Sequence, residues 1–233
     1  MDSIEKELEE IKTRYSRRIN FPEDMYDPLN PAMNKISQEK ERALIKWIQH
    51  ESLSPVSNLK LLEIGCGNGQ NLIQFLKFGF NPDFLVGNEL LPERVRAAKK
   101  ILPLNLKIVE GNALDLNFSP ESFDIVFQSM VFSSILEDSF QLKLAKKMWE
   151  LTKIGGGVLW YDFTFNNPKN QDVQGVKLKR VKELFPQGKI QKWRITLAPP
   201  LSRIVTSIHP LFYNAFNIFP FLRTHILCWI KKT

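Results

Sequence analysis

The chain has 233 residues, and a hydrophobic content of 43% is enough for one large α/β domain with its own core. No run of about eighteen apolar residues and no basic N-terminus followed by an apolar stretch occurs, so we expect neither a membrane span nor a secretion signal. The net charge of +7 arises in residues 151–233, where 13 Lys and Arg face 3 Asp and Glu; this suits an acidic substrate, a nucleic acid, an anionic membrane or merely a solvated surface.

The elements that the sequence predicts alternate between strand and helix. Short apolar runs predict five strands, at 58–64, 84–87, 106–109, 123–127 and 158–161. Helical spacing predicts helices at 38–49, 71–77, 92–101 and 140–151. We expect the glycine triplet at 155–157 to end the last of these helices.

This order of elements indicates the fold class. Strands that are continuous apolar runs are typical of a parallel sheet covered by helices on both faces. The right-handed crossover rule then predicts an α/β, doubly wound, Rossmann-like sheet. A further helix at 177–184 and two further strands at 193–197 and 224–230 are expected after it. Ligands of such sheets bind outside the carboxyl ends of the strands.

A glycine-rich loop follows the first predicted strand. Gly65, Gly67 and Gly69 let the backbone turn tightly and approach a ligand, although an ordinary strand-to-helix turn has the same composition. Glu89 lies about twenty residues further on, where a carboxylate accepts both hydroxyls of a ribose, or is simply a surface acid. Gln70 replaces the third glycine of the dinucleotide fingerprint, which weakens the prediction of a dinucleotide-dependent oxidoreductase.

Four ordered segments, LLEIGCGNGQN, GNELLPERV, EGNALDLNF and SFDIVF, resemble class I S-adenosylmethionine-dependent methyltransferases over residues 58–165. The resemblance implies S-adenosylmethionine as the cofactor and a seven-stranded sheet with an antiparallel last strand. No metal is implied, because the sulfonium already carries an activated methyl group. The protein must hold the acceptor in line with that group, and a hydroxyl acceptor also needs a base.

The resemblance also assigns residues to the cofactor. Gly65, Cys66, Gly67 and Gly69 would line its methionine part. Glu63 would orient its ammonium group.

Further positions extend this assignment to the nucleoside. Glu89, with Leu90 beside it, would hold the ribose. Asn112 stands where the family often has an aspartate that meets the adenine amino group, and Ala113 and Leu114 would flank the ring.

Two other parts of the chain are expected at the cofactor. Gln128, after the fourth strand, would reach the methionine moiety, whereas Asp124 within that strand is expected to be structural. Residues 1–50 form an N-terminal helical extension that would close over the cofactor, ahead of a methyltransferase domain at 51–233. Tyr15 and Arg18 of that extension would cover the cofactor or meet its carboxylate, or else belong to a solvated helix face.

The acceptor is expected beyond the fifth strand. Asp162 is the leading candidate for a catalytic base, with Tyr161 beside it, although a structural role for Asp162 in capping the next loop is equally consistent. Asn166 and Asn167 would hydrogen-bond a polar acceptor, or serve as turn formers. The Asn/Asp-Pro-Pro-aromatic loop of base-amine methyltransferases is missing after the fourth strand, which disfavours that reaction.

An aromatic insert at 198–223 separates the last two predicted strands. Phe212, Phe216 and Phe219 share a helical face, so we interpret the insert as a cap over the acceptor pocket. Core packing and contact with a membrane surface are the alternatives. His209 is a second candidate base, or a histidine that is only packed or solvated.

The sequence therefore predicts methyl transfer to a small-molecule or glycan acceptor, at a hydroxyl. An RNA-directed methyltransferase or RNA-binding protein is the alternative, without a recognisable RNA-binding module. Cys66 and Cys228 lack zinc or disulfide-framework spacing, so a cytoplasmic protein is expected, with weak contact to the inner face of a membrane as an option. The terminal segments and WYDFTFNNP are similar to bacterial methyltransferases of surface-polysaccharide or secondary-metabolite pathways.

Overall fold

Seven strands form one sheet in the computed structural model, which describes residues 3–17, 27–168 and 170–233. The strands are β1 Leu61–Ile64, β2 Leu85–Glu89, β3 Lys107–Glu110, β4 Phe123–Ser129, β5 Thr152–Phe163, β6 Lys189–Leu197 and β7 Arg223–Lys231. The helices are α1 Ser3–Arg17, α2 Pro31–His50, α3 Gln70–Lys77, α4 Pro92–Ile101, α5 Asp138–Leu151, α6 Leu178–Leu184, α7 Pro199–Ile208 and α8 Leu211–Asn217.

The strand order is β3-β2-β1-β4-β5-β7-β6. The first five strands pair in parallel, while β7 runs antiparallel to both β5 and β6. Order reverses between β1 and β4, so the carboxyl ends of these two strands mark the switch point where ligands of doubly wound sheets bind. The predicted Rossmann-like fold with its antiparallel last strand is confirmed.

The central strands are buried on both faces because successive side chains point to opposite sides. Trp160 packs on one side with α5 residues such as Met148, and Leu159 packs on the other. On that second side Phe75 of α3 meets Phe127 edge to face, with ring centroids 5.4 Å apart. This double burial explains why the strands appear in the sequence as continuous apolar runs.

The start of β5 differs from the sequence prediction. Helix α5 ends at Leu151, and β5 begins at once, so the glycine triplet lies inside the strand rather than between helix and strand. Pairing with β4 shifts between Phe123 and Ile125, and a Cβ on Gly156 would lie 2.4 Å from Asp124 O. The glycines thus permit close backbone approach at an irregularity in the sheet, not a helix stop.

Helix α2 begins seven residues before the predicted start at 38. Asn30 caps it by accepting a hydrogen bond from Ala32 N at 2.9 Å, and Pro31 occupies the first turn. Its buried residues include Leu44 and Trp47. Helix α2 packs on β6 and on α7, so it links the N-terminal part to the insert.

The aromatic insert forms α7, α8 and a short 3-10 turn at 220–222. Leu197, Val205 and Tyr213 form a small apolar cluster there, separate from the two main core layers. Within the described ranges, no helix combines the length and the apolarity needed to cross a membrane.

Candidate active site

The glycine-rich loop between β1 and α3 lies at the switch point of the sheet. Gly65 and Gly67 have φ values of +65° and +55°, a left-handed conformation that favours glycine. A Cβ on Gly65 would lie 2.6 Å from Val131 Cγ2, whereas a Cβ on Gly67 would meet only Arg94, at 3.8 Å. Gly65 is therefore needed for packing, and Gly67 presents bare backbone to open space.

That open space is a cavity of about 280 Å³. It is lined by these residues that the sequence assigned to the cofactor: Tyr15, Gly65, Cys66, Gly67, Glu89, Leu90, Asn112 and Ala113. It is also lined by residues that the sequence analysis missed, among them Asn71, Asn88, Arg94, Gly111, Ser129 and Met130. Most of these lie in the loops that follow β1, β2, β3 and β4, as expected for the fold.

Glu63, at the end of β1, is fully buried beside this cavity. Its Oε1 accepts a hydrogen bond from Asn71 Nδ2 at 2.6 Å, and its Oε2 is buried with no hydrogen-bond partner among the described residues. Burial raises the pKa of Glu63 to about 7. A buried carboxylate with a free oxygen is matched by a cationic donor such as an amino acid's ammonium group.

Glu89 connects the end of β2 to the glycine loop. Its Oε2 accepts a hydrogen bond from Gly67 N at 2.8 Å, and its Oε1 accepts one from Leu91 N at 2.9 Å. Each oxygen retains a second lone pair, so the carboxylate can still accept from two hydroxyl groups. The two backbone contacts fix its orientation toward the cavity, which suits a ribose.

Asn112 begins a short 3-10 turn after β3. Its Oδ1 accepts from Leu114 N at 3.1 Å, which leaves the amide nitrogen free to donate. Ala113 lines the cavity with it, whereas Leu114 packs against the core. Asn88 Nδ2 donates to Gly111 O at 2.9 Å and holds this loop against β2.

Helix α1 lies over the cavity, to which it contributes Leu8, Ile11 and Tyr15. Buried Arg14 forms an ion pair with Glu7 of the same helix and donates to Ser134 O at 3.2 Å. These contacts attach α1 to the segment after β4 and place Tyr15 at the cavity wall.

Arg94 of α4 also lines the cavity, next to Tyr15. Its guanidinium lies 4.4 Å from the centroid of the Tyr15 ring. Arg18, which the sequence analysis also assigned to the cofactor, lies outside the described residues.

Gln128 and Gly69 do not reach the cavity, contrary to the expectation for them. Gln128 is fully buried, and its Oε1 accepts from Val131 N at 3.0 Å, so it shapes the loop after β4. Gly69 packs against α4, where a Cβ would lie 2.8 Å from Leu102. Both residues hold the frame of the site from outside the cavity lining.

Lys40 of α2 does not line the cavity itself but is hydrogen-bonded to two residues that do, and the sequence analysis missed it. Its Nζ donates to Asn71 Oδ1 at 2.7 Å and to Ser129 Oγ at 3.0 Å, and it lies 4.7 Å from the centroid of the Tyr161 ring. Burial lowers the pKa of Lys40 to about 8, against the attraction of the Glu63 carboxylate, which raises it. The spacing in the sequence could have identified Lys40 as an inward-facing residue. Residues 40, 44 and 47 share one helix face, and the latter two are core residues.

Tyr161 lies beneath Lys40 and is almost completely buried. Its hydroxyl shares a hydrogen bond with Thr196 Oγ1 at 2.9 Å, and its ring stacks on His225 with centroids 5.2 Å apart. Burial raises the pKa of Tyr161 above its usual value and lowers that of His225 to about 3, so both are neutral. Tyr161 is thus a neutral support for Lys40.

Asp162 is misplaced for the catalytic base that the sequence suggested. It is fully buried and lies outside the set of residues that line the cavity. Its Oδ2 accepts from Ser133 N at 3.1 Å and its Oδ1 from Phe163 N at 3.0 Å, while burial raises its pKa to about 7. The geometry favours the alternative structural role, in which the carboxylate anchors the segment after β4.

The remaining acceptor candidates also lie apart from the cavity lining. Asn166 Oδ1 accepts from Gly175 N at 2.9 Å in an exposed turn that also contains Asn167. His209 is exposed between α7 and α8, and its Nδ1 accepts from Leu211 N. Phe212 and Phe216 are 42% and 38% exposed and do not line the cavity.

Comparison with known protein families gives a match for the part of the chain that carries this site. A family model described as a methyltransferase domain matches residues 61–156, which include the glycine loop, Glu89 and Asn112. The matched segment is the part of the sequence that resembles class I S-adenosylmethionine-dependent methyltransferases. No curated protein sequence matches it.

Solved structures share the fold of this chain at low identity. A SAM-dependent methyltransferase from Archaeoglobus fulgidus has 12% identity and a TM-score of 0.58, with 82% of this chain and 94% of that chain covered. One from Mesorhizobium loti has 13% identity and a TM-score of 0.58, with 82% and 100% covered. One from Methanosarcina mazei has 14% identity and a TM-score of 0.54, with 79% and 96% covered.

The match to a methyltransferase domain implies S-adenosylmethionine as the cofactor, and the residues present fit it. The free Oε2 of Glu63 matches its ammonium group, Glu89 matches its ribose, and bare backbone at Gly67 allows close approach. When bound, the cofactor supplies a methyl group on a sulfonium. The chain's own residues then have to position an acceptor and receive its proton.

Proposed function

We propose that this methyltransferase acts on a hydroxyl of a small-molecule or glycan acceptor, with Lys40 as the general base. The observation that supports this is the position of the Lys40 amine. It is hydrogen-bonded to Asn71 and Ser129, and both of these residues line the cavity. Ser129 ends β4, next to the cofactor loop, where an acceptor has to approach.

The chemistry of a hydroxyl acceptor needs such a base. An alcohol oxygen becomes a good nucleophile only as it loses its proton, and a base is most effective when its pKa is near the working pH. A lysine with a pKa of about 8 meets this condition, whereas an exposed lysine, near 10.4, is almost fully protonated at neutral pH. As the acceptor oxygen bonds to the methyl carbon and the carbon–sulfur bond breaks, the hydroxyl proton passes to Lys40 Nζ.

The surroundings of Lys40 support this assignment. The Tyr161 ring fixes the amine from below, and Asn71 Oδ1 and Ser129 Oγ accept from it, so it is oriented rather than free to rotate. Glu63 attracts the proton on Lys40, and a cation held at Glu63 would weaken that attraction. The neutral amine would therefore be favoured when the neighbouring subsite is filled.

A pair of Lys40 variants tests the base role. Lys40→Met removes the amine, while Lys40→Arg keeps a positive charge that is never released at working pH. We expect both to lower kcat by about 10²–10⁴-fold. Lys40→Arg keeps the positive charge near Glu63 and should leave the affinity for S-adenosylhomocysteine nearly unchanged, whereas Lys40→Met should weaken it because loss of that charge raises the pKa of Glu63 further. A Lys40→Arg variant that retains normal kcat would contradict the proposal, because a charge alone would then suffice.

The acceptor class needs its own experiment. Methyl-labelled cofactor incubated with separate glycan, small-molecule and RNA fractions of a cell extract shows where the label goes. We expect base-stable label, as in a methyl ether, in a glycan or small-molecule fraction. Label in RNA would favour the alternative suggested by the excess of ten positive charges in residues 151–233.

We extend the proposal to the N-terminal residues and to the location of the protein. Residues 1–50 are treated as an extension that closes over the cofactor, which the placement of Tyr15 in the cavity wall supports. The protein is proposed to be cytoplasmic and to work at the inner face of a membrane. The oxidoreductase alternative is dropped, since residues 61–156 match a methyltransferase domain.

A further inference from the structure

Helix α7 exposes large apolar side chains and buries small polar ones. It buries Ser202 and Thr206 with Val205, while Ile204 and Ile208 are 62% and 71% exposed. A helix that only packs on its own domain buries its large apolar side chains and exposes its polar ones. The outer face of α7 is therefore built to meet an apolar environment.

The exposed apolar side chains continue into α8 and the turn that follows. Sixteen large hydrophobic residues are exposed in the described chain, and eight of them lie between residues 204 and 221. We call these eight the apolar patch: Ile204, Ile208, Leu211, Phe212, Phe216, Ile218, Phe219 and Phe221. Scattered exposed residues need no explanation, but such a concentration in one segment marks an interaction surface.

The helices beneath the patch are firmly attached to the domain. The Tyr213 hydroxyl donates to the buried carboxylate of Glu39 in α2, and Asn217 Nδ2 donates to the same carboxylate at 2.7 Å. Arg223 donates through Nε to Asn217 O at 2.8 Å and closes the C-terminal end of α8. The patch is thus presented on a fixed hairpin.

The segment that carries the patch contains basic residues and no acidic ones. Residues 184–233 have seven Lys and Arg and no Asp or Glu, although Lys231 and Lys232 pair with Glu51 and Glu121. Arg203 is exposed next to Ile204, and the carboxylate of Glu39 is buried and hydrogen-bonded. Apolar side chains inserted at the boundary of the acyl chains, with basic groups at the headgroups, are the features of an interfacial helix on anionic lipid.

We propose that α7 and α8 dock this protein on an anionic membrane surface through the apolar patch. The proposal concerns binding and does not depend on which atom accepts the methyl group. It predicts that the enzyme meets its acceptor at the lipid surface. The alternative occupant of the patch is a second copy of the chain. Dimer formation would depend on the protein concentration and not on lipid, so the two occupants can be distinguished.

The test is sedimentation with vesicles of phosphatidylcholine alone or with about one-third phosphatidylglycerol. The patch variant is Ile204→Ser, Ile208→Ser, Phe221→Ser. The matched control is Leu104→Ser, Ile154→Ser, which removes exposed apolar side chains elsewhere. Thermal unfolding and S-adenosylhomocysteine affinity of each variant report whether fold and cofactor site are intact.

We expect the parent and the control to bind anionic vesicles and the patch variant to bind at least about tenfold more weakly. High salt, neutral vesicles and Arg203→Glu should each weaken binding, because charge contributes. Equal binding by the patch variant would overturn the proposal. So would a parent protein that ignores vesicles and forms a dimer in light scattering that the patch variant lacks.

Discussion

Glu63 gives the sharpest prediction about the cofactor site, because its protonation should control cofactor binding. Its pKa is raised to about 7 by burial, so near pH 6 most molecules carry a neutral carboxyl group there. The ammonium group of S-adenosylhomocysteine pairs with the ionised form only. Binding therefore favours the deprotonated carboxylate, and affinity is fully present above the pKa and lost as pH falls below it.

The size of the effect follows from that value. For a pKa of about 7, a fraction of roughly one-tenth is ionised at pH 6 and of roughly nine-tenths at pH 8, so the apparent Kd should rise about tenfold, or about 1.4 kcal/mol. Below pH 7 the complex should also release about one proton on binding. Titration calorimetry in buffers of different ionisation enthalpy measures both quantities.

Glu63→Gln is the decisive variant. Its amide keeps the contact partner for Asn71 but cannot ionise, so we expect weaker binding at pH 8, by about 1.5–3 kcal/mol, and no remaining dependence on pH. The reasoning fails if the parent protein binds S-adenosylhomocysteine equally well at pH 6 and pH 8. It also fails if the variant keeps the full pH dependence, because another group would then be responsible.

Three further variants test the other parts of the site and the insert. Gly67→Val should abolish calorimetric binding of S-adenosylhomocysteine and leave most of the fold intact, since the new side chain enters the cavity and strains a left-handed residue; unchanged affinity would place the cofactor elsewhere. Glu89→Ala should cost about 1.5–3 kcal/mol of affinity, and a loss below twofold would argue against the ribose contact. Phe212→Ala with Phe216→Ala should lower unfolding stability by well under the roughly 3–5 kcal/mol of a core phenylalanine, and a large fall in Tm would show that these rings are buried after all.

The sequence alone predicted the sheet, because the pattern that identifies each strand lies within a few neighbouring residues. Buried parallel strands must be apolar on both faces, and the chain contains five such runs in alternation with helical spacing. The glycine loop was equally visible, since a tight turn with open backbone restricts composition strongly. The glycines at 155–157 wrongly predicted the end of a helix. A Cβ on Gly156 would meet Asp124 of the neighbouring strand, and local sequence reasoning does not include such a contact.

The acceptor side was predicted poorly because its residues depend on tertiary contacts. Asp162 has the chemistry of a base, but its position in β5 directs both oxygens to backbone N–H groups. Lys40 looks like a solvated helix residue until α2 is packed on the sheet, where its amine reaches Asn71 and Ser129. What a polar side chain contacts depends on the face of the helix or strand that carries it. That face is known only once the helices have packed on the sheet.

In the insert, helical periodicity in the sequence did not show what the apolar face contacts. The shared face of Phe212 and Phe216 was a correct helical pattern, but helical periodicity identifies a face without stating what covers it. Packing on α2 selects Tyr213 as the buried residue, because its hydroxyl meets Glu39, and leaves the phenylalanines outside. An apolar face that the fold itself does not cover has to be explained by something outside the fold, and the absence of carboxylates from residues 184–233 favours an anionic surface over an ordinary protein partner.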